Sequence, residues 1–397
     1  MSPTLPRVLI VGGVDVRARI PLMERLRDDF ELVAVGAGPE PAFVGTGFRY
    51  LCYASGQHAR VSPLDDARAF LALARIFRTE RPGLVHAFDT KAGVWGCLAA
   101  RLAGVPIAVG TVNGLGFLFR RETWQQRLLG ASYQALQALA CAASSATVFQ
   151  NPDDARAFVE ASMARREKVV LVPGSGVRTD RLDPRRFGPA ARARLRGALG
   201  IEASDVAVIM VTRVIRSKGV LDLLAAARAL RAVRPRVRFL LVGADEPESM
   251  DRLSEAELGR LQRELIWTGP RDDVPALLAA SDVMAFPSGY GEGIPRVLLE
   301  AASMALPIVT TDAPGCREVV EPGVNGLLVP IGDAAALAAA VERLVVDPAL
   351  RQRFGENARE RAIARFDLGV VAERTRVLYR ELLAHGEARG LTARSLA

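Results

Sequence analysis

Thirteen short apolar runs, most of them separated by stretches with helical spacing, constrain the fold of this chain more than any other feature. The first seven are RVLIVGG (7–13), ELVAVGA (31–37), RYLCYA (49–54), LVHAF (84–88), IAVGTV (107–112), ATVFQ (146–150) and VVLVP (169–173). A polar, arginine-rich stretch follows (178–197). The alternation then restarts with VAVIMVT (206–212), VRFLLVG (237–243), LIWTG (265–269), VMAFP (283–287), PIVTT (307–311) and GLLVP (326–330). Strands alternating with helices dictate parallel sheets covered by helices on both faces. Two such series in 397 residues, too many for one ordinary core, dictate two doubly wound α/β domains. The expected division is 1–183 and 184–367. From about residue 333 the pattern is helical throughout, with Asp367 placed to cap a last long helix (368–397) that packs back on the first domain.

Open α/β sheets bind ligands beyond the carboxyl ends of their strands. With two of them, the expected site is a cleft between the domains. Four strand-ending loops carry unusual residues: Gly12-Gly13, Asn113 to Phe119, Arg213 to Lys218, and Ser288 to Pro295.

The formal charge of +8 favours an acidic partner: nucleic acid, anionic lipid or a phosphorylated substrate. The arginines are spread along the chain without a basic block or an aromatic-interleaved stripe, which makes nucleic acid the weakest of the three. Only Lys91, Lys168 and Lys218 among the 52 basic residues are lysines. A lysine kept against so strong an arginine bias points to a need for a compact ammonium. Cys52, Cys97, Cys141 and Cys316 are scattered without metal-ligand spacing. With no membrane-length apolar run and no secretory leader, the expectation is a cytoplasmic protein without disulfides.

Individual motifs sharpen this. In TRVIRSKGV (212–220), Arg213 ends a strand and Lys218 heads the next helix, two cations at a helix N-terminus that are unfavourable unless an anion joins them. In SGYGEGIPRVLLEA (288–301), Pro295 suits a first helical turn. Glu292 precedes that turn in a loop opened by Gly289, Gly291 and Gly293, and Glu300 lies five residues beyond the proline. A purely local reading pairs Glu300 with Arg296 at i,i+4 and sets Glu292 against the helix dipole. In HAFDTKAGVWG (86–96), Asp89 is a good N-cap and Lys91 sits in the first turn. GTVNGLGFLFRRETW (110–124) carries Asn113, Gly114 and an apolar tip at Phe117, suited to a lipid surface or to a core. Gly12-Gly13 lack a full dinucleotide fingerprint but let backbone approach a ligand.

Taken together, these residues resemble a known family. The paired domains, Arg213-x4-Lys218 and Glu292-x7-Glu300 look like a retaining glycosyltransferase of family GT4 with the GT-B fold. FQNPDD (149–154), VPGSGV (172–177) and TTDAPGCREVVEPGVNGLLVP (310–330) extend the likeness over almost the whole chain. Within the family the chain is similar to the PglA-like bacterial branch, which acts on polyprenyl-diphosphate-linked sugars. The resemblance implies that Arg213 and Lys218 neutralise the donor diphosphate and that Glu300 binds the ribose. Glu292, with the backbone of Gly293 and Ile294 at Pro295, would hold the hexose. Gly12-Gly13, and Gly13 above all, would face the diphosphate or reacting centre, and the loop of Gly269 and Arg271 would frame the base. Asp89, Lys91, Asn113, Gly114 and Phe117 fall on the acceptor side. No metal or other cofactor is implied. Many relatives have histidine where this chain has Asn113, which can hydrogen-bond but cannot act as a base.

The implied function is transfer of a hexose or N-acetylhexosamine from a UDP-sugar to a lipid-linked or growing glycan, with possible attachment to the inner membrane face. Two other readings stay open on the sequence: a sugar-nucleotide epimerase of the same architecture, and a non-catalytic nucleotide or membrane-surface binder.

Overall fold

The computed structural model describes residues 5–54, 62–115 and 124–394, with side chains described in 5–53, 62–115 and 130–385. The chain forms two units, Met1–Ser175 with Leu368–Ala397, and Gly176–Asp367.

The first unit is built on seven parallel strands: β1 (Arg7–Val11), β2 (Glu31–Ala37), β3 (Arg49–Ala54), β4 (Leu84–Ala87), β5 (Ile107–Val112), β6 (Ala146–Phe149) and β7 (Val169–Leu171). Their order across the sheet is β3-β2-β1-β4-β5-β6-β7. The second unit has six: β8 (Val206–Val211), β9 (Val237–Val242), β10 (Ile266–Trp267), β11 (Val283–Phe286), β12 (Ile308–Thr311) and β13 (Gly326–Val329), ordered β10-β9-β8-β11-β12-β13. All thirteen apolar runs become strands, most of them one or two residues shorter than the run because the run continues into the following loop. Both sheets are doubly wound α/β layers. Each has its first strand near the middle, and the strand order reverses between β1 and β4 and again between β8 and β11.

The period of two explains why both faces of β1 need helices. Val8 and Ile10 enter one hydrophobic cluster, Leu9 and Val11 another, and all four are fully buried. In the second unit one large cluster covers β8 to β12 and the helices around them.

The unit boundary lies before residue 176, ahead of the expected 183/184. The reason is local bonding. Val177 N–H donates to the Phe366 carbonyl at 2.9 Å, and Thr179 Oγ1 donates to Asp367 Oδ2 at 2.5 Å. The Leu182 carbonyl accepts from Ser303 Oγ at 2.6 Å, and Asp183 pairs with Arg359 at 2.9 Å. Residues 176–183 are thus tied into the second unit. The last helix, Leu368–Arg394, returns to the first. There Tyr379 is fully buried against Phe30 with ring centroids 5.4 Å apart. Arg376 and Arg380 both reach Asp29, at 2.7 and 2.6 Å.

Candidate functional site

Reversal points are where open sheets leave a crevice, because neighbouring connections leave in opposite directions. In each unit several of the residues singled out by sequence gather at that point, whereas Gly269 and Arg271 follow the edge strand β10.

In the second unit the loop after β8 ends in a short turn, Arg216–Lys218, and Gly219 (φ 76°) leads into the helix Val220–Val233. The loop after β11 carries Ser288 to Pro295, and its helix is Arg296–Ser303, with Pro295 one residue ahead at the N-cap. Lys218 is buried and ion-paired with Glu292, so the two loops are joined by the residues expected to serve diphosphate and hexose separately. Lys218 at the helix start does have an anion, and it is this carboxylate. The Lys218 ammonium also stands 4.5 Å from the ring centre of Tyr290, and the Arg213 guanidinium lies 5.9 Å from the same ring. Arg213 itself is exposed.

Glu300 takes the local pairing: Arg296 Nε donates to its Oε1 at 2.9 Å. Burial pushes the Glu300 carboxyl above the usual carboxylate range, with Arg296 opposing that shift. Gly269 (φ 70°) ends the strand β10 region, and its carbonyl accepts from Gly243 N–H at 2.9 Å. Arg271 is exposed and held in a two-pronged pair by Asp273, at 2.8 and 2.7 Å.

The loops are packed backbone on backbone. At Gly315 (φ 78°) a Cβ would fall 1.8 Å from the Gly293 carbonyl oxygen. At Gly243 (φ 144°) it would fall 1.7 Å from that of Thr212, and at Gly219 2.0 Å from that of Pro287. Beneath them Thr310 Oγ1 donates to the Phe286 carbonyl at 2.7 Å. Gly315, Gly243 and Tyr290 escaped the sequence reading. A glycine directly after a strand end was the available signal for Gly243, a glycine following a proline in the loop after β12 for Gly315, and an aromatic between two glycines for Tyr290.

In the first unit Asp89 stands at the N-cap position of the helix Thr90–Ala103 but makes no side-chain cap bond. Its backbone is turned to φ 70°, ψ 166°, a region almost reserved for glycine, and this aims the carboxylate elsewhere. Asp89 Oδ2 accepts from Gly13 N–H at 3.0 Å. Asp89 Oδ1 accepts from Asn113 Nδ2 at 3.0 Å, and Asn113 Oδ1 accepts from Gln150 Nε2 at 2.9 Å. One polar chain therefore crosses the carboxyl ends of β1, β4, β5 and β6. Arg19 adds a cation 3.7 Å from Asp89 and lies over the Phe88 ring at 4.3 Å. Gln150 and Arg19 were not foreseen; only the strand-end position of Gln150 signalled it. Gly12 packs against Val16, whose Cβ would be 2.9 Å from an added methyl. Asp89, Asn113 and Gly114 line one cavity with Thr111 and Tyr133. Phe117 and its apolar tip lie outside the described residues.

Behind this chain His86 is buried between two hydroxyls, Tyr379 Oη on Nδ1 and Thr111 Oγ1 on Nε2, each at 2.6 Å. Burial, reinforced by the Arg19 charge, lowers its pKa to about 3. The three lysines have separate reasons to be lysines. Lys218 pairs with Glu292, and Lys91 pairs with Asp66 at 3.1 Å. Lys168 donates to the Ala142 and Ser144 carbonyls at the end of the helix Trp124–Ala143, at 2.9 and 2.6 Å. Among the described residues no cluster of histidine, cysteine and carboxylates could hold a metal, and no helix is long and apolar enough to cross a membrane.

Comparison with known proteins matches residues 191–361 to the family "Glycosyl transferases group 1" and residues 13–175 to "Glycosyl transferase 4-like domain". The chain is 31% identical over 396 residues to the alpha-maltose-1-phosphate synthase of Mycolicibacterium smegmatis, covering 96% of this chain and 97% of that protein. It is 25% identical over 366 residues to the N,N'-diacetylbacillosaminyl-diphospho-undecaprenol alpha-1,3-N-acetylgalactosaminyltransferase of Campylobacter jejuni, covering 91% and 94%. Among solved structures, Anabaena HepE in complex with UDP-glucose shares the fold with a TM-score of 0.76 at 21% identity, over 94% of this chain and 99% of that one.

Proposed function

We propose a donor, an acceptor class and residue roles for this chain, which belongs to the glycosyltransferase group 1 family and is a glycosyltransferase. The donor is a UDP-sugar carrying a hexose or N-acetylhexosamine. The acceptor is a polyprenyl-diphosphate-linked sugar or growing glycan of surface polysaccharide or glycoprotein assembly. The Campylobacter relative, which by name acts on a diphospho-undecaprenol sugar, and the UDP-glucose complex of the Anabaena fold relative support both choices.

The observation that carries the reading is the Lys218–Glu292 pair at the β8/β11 reversal point, with Arg213 on the first of those loops and Glu300 on the helix after the second. Arg213 and Lys218 would meet the diphosphate, and two fixed cations would take the part of a metal. Glu300, 20% exposed at its side chain, would accept from the ribose hydroxyls, and Glu292 with the Gly293 and Ile294 backbone would hold the sugar. The loop of Gly269 and Arg271 would frame the base. In the first unit Gly13, Asp89 and Asn113 would orient the reacting hydroxyl. The Asn113 amide, bonded on both sides, is too weakly basic to take up a proton, which fits a same-face substitution in which the departing phosphate takes the acceptor's proton and the anomeric configuration is kept. Catalysis is then positioning plus charge stabilisation of the leaving group. A screen of UDP-hexose and UDP-HexNAc donors against a polyprenyl-diphosphate sugar, read by mass spectrometry, tests this. Transfer from a UDP-sugar supports it. An epimerised donor in the absence of acceptor, or no product from any UDP-sugar, overturns it.

A lipid-borne acceptor calls for a surface that meets the membrane. On the helix Pro63–Glu80, Leu64, Arg68, Leu71, Arg75 and Arg78 fall at spacings of three and four on one exposed stripe, with Leu64 72% and Leu71 50% exposed. Leucines among arginines suit an anionic bilayer surface. Sedimentation with anionic vesicles at low and high salt tests it: salt-sensitive binding that Leu64→Asp and Leu71→Asp weaken supports the stripe, and no binding at low salt ends it.

A further inference from the structure

The two cations assigned to the diphosphate share one more neighbour, and neither the family assignment nor the sequence motifs give it a role. Tyr290 is half-buried in the loop between β11 and the helix Arg296–Ser303. Its ring centre is 4.5 Å from the Lys218 ammonium and 5.9 Å from the Arg213 guanidinium. The loop is fixed at both of its neighbours. Gly289 N–H donates to the Ser217 carbonyl at 2.9 Å, and Tyr290 N–H donates to Ser288 Oγ at 3.2 Å. Ser217 is in turn tied to Asp251 through its own N–H at 2.9 Å. The loop that carries the ring is thus hydrogen-bonded to the turn that carries Lys218.

We infer that Tyr290 is a positioning residue for the diphosphate subsite: its ring face draws Lys218 and Arg213 together and keeps both charges directed at one anion. The inference rests on the donor reading above. An aromatic face attracts a cation through its quadrupole without neutralising it. The Glu292 carboxylate holds Lys218 in the ligand-free chain and must give it up to the diphosphate, whereas the ring can keep its hold on both cations when the anion binds. Two cations brought near one another repel, and a shared ring lowers the cost of that approach once the diphosphate has drawn Lys218 away from Glu292. The ring matters here and the hydroxyl does not.

The test compares Tyr290→Phe and Tyr290→Leu with the unmodified protein, measuring affinity for UDP and for uridine by calorimetry. Tyr290→Phe should bind UDP within twofold of the parent. Tyr290→Leu should lose about fivefold or more in UDP affinity, the upper end of what an exposed cation–ring contact contributes, while uridine affinity stays unchanged. If the leucine variant has no melting transition, Tyr290→Gln replaces it. Equal UDP affinity in the ring-less variant overturns the inference, as does an equal loss for uridine and UDP, which would mark a merely structural loop residue. Absence of UDP binding by the parent itself overturns the donor reading, and the positioning role goes with it. Normal UDP binding by the parent with no effect of Tyr290→Leu removes the positioning role alone.

Discussion

Lys218 and Glu292, 74 positions apart in sequence, are ion-paired to one another in the ligand-free chain. If each serves a different part of the donor, UDP must compete with Glu292 for the lysine. Glu292→Gln should therefore bind UDP roughly three- to tenfold more tightly, about 1 kcal/mol for the loss of a competing hydrogen bond, while turnover with the sugar donor falls at least tenfold. Calorimetry with UDP and a steady-state assay read the two effects. Unchanged or weaker UDP binding would show that the pair does not hold back the lysine.

Lys218→Ala should act in the other direction. It removes the cation and leaves a partly buried carboxylate without its partner. UDP affinity should drop about tenfold or more, in keeping with ~1.5–3 kcal/mol for a charge-assisted contact, with turnover falling at least tenfold and the melting curve still cooperative. Wild-type turnover in this variant is incompatible with the assigned role.

Charge stabilisation by two fixed cations carries its own expectation. Transfer activity should survive an excess of EDTA and show no more than about twofold stimulation by Mg2+ or Mn2+. Activity abolished by chelation and restored by a divalent cation would place a metal at the diphosphate instead.

Gly315 and Gly323 share a positive φ, 78° and 79°, but of the two only Gly315 has a neighbour in the way: its Cβ would meet the Gly293 carbonyl oxygen, while that of Gly323 meets nothing within 4 Å. Gly323→Ala should cost about 1 kcal/mol of backbone strain. Gly315→Ala should cost more and should also weaken donor binding, because the Glu292–Gly293 segment has to move. Equal melting shifts with unaltered UDP affinity would show that the contact is unimportant.

The buried His86 gives the first unit a pH dependence. Its folded pKa, about 3, is depressed below the ordinary 6.5. At pH above 6.5 neither state carries the proton. As pH falls below 6.5 the unfolded chain binds one and the folded chain does not, so stability is lost on acidification. Between pH 7 and pH 5 the loss from this residue is about 2 kcal/mol, at ~1.36 kcal/mol per unit. Urea titrations at the two pH values should show it, and His86→Gln, which cannot titrate but can still donate and accept, should flatten the difference. A variant with the parental pH slope would assign the dependence to other groups.

The strands were legible because a half- or fully buried strand must be apolar, and that requirement is local. The β8/β11 site was legible for a related reason: cations and acids at strand ends are few and each is costly without a partner. Which partners they choose was not legible. Lys218 to Glu292 is set by sheet order, which brings the fourth strand of the second series beside the first. The Asp89 carboxylate was expected to cap its helix. It bonds Gly13 and Asn113 because a single backbone angle turns it away, and no spacing rule reports a φ of 70°. The boundary shift to residue 176 likewise came from individual hydrogen bonds to Phe366 and Asp367.

The glycines that let one loop's backbone lie against the next also fix where this protein can change. A methyl group at 219, 243 or 315 has no space to occupy. Substitution is therefore closed at the floor of these loops. It is open at their exposed edge, at Arg271, where a side chain can be exchanged without disturbing the carbonyls beneath.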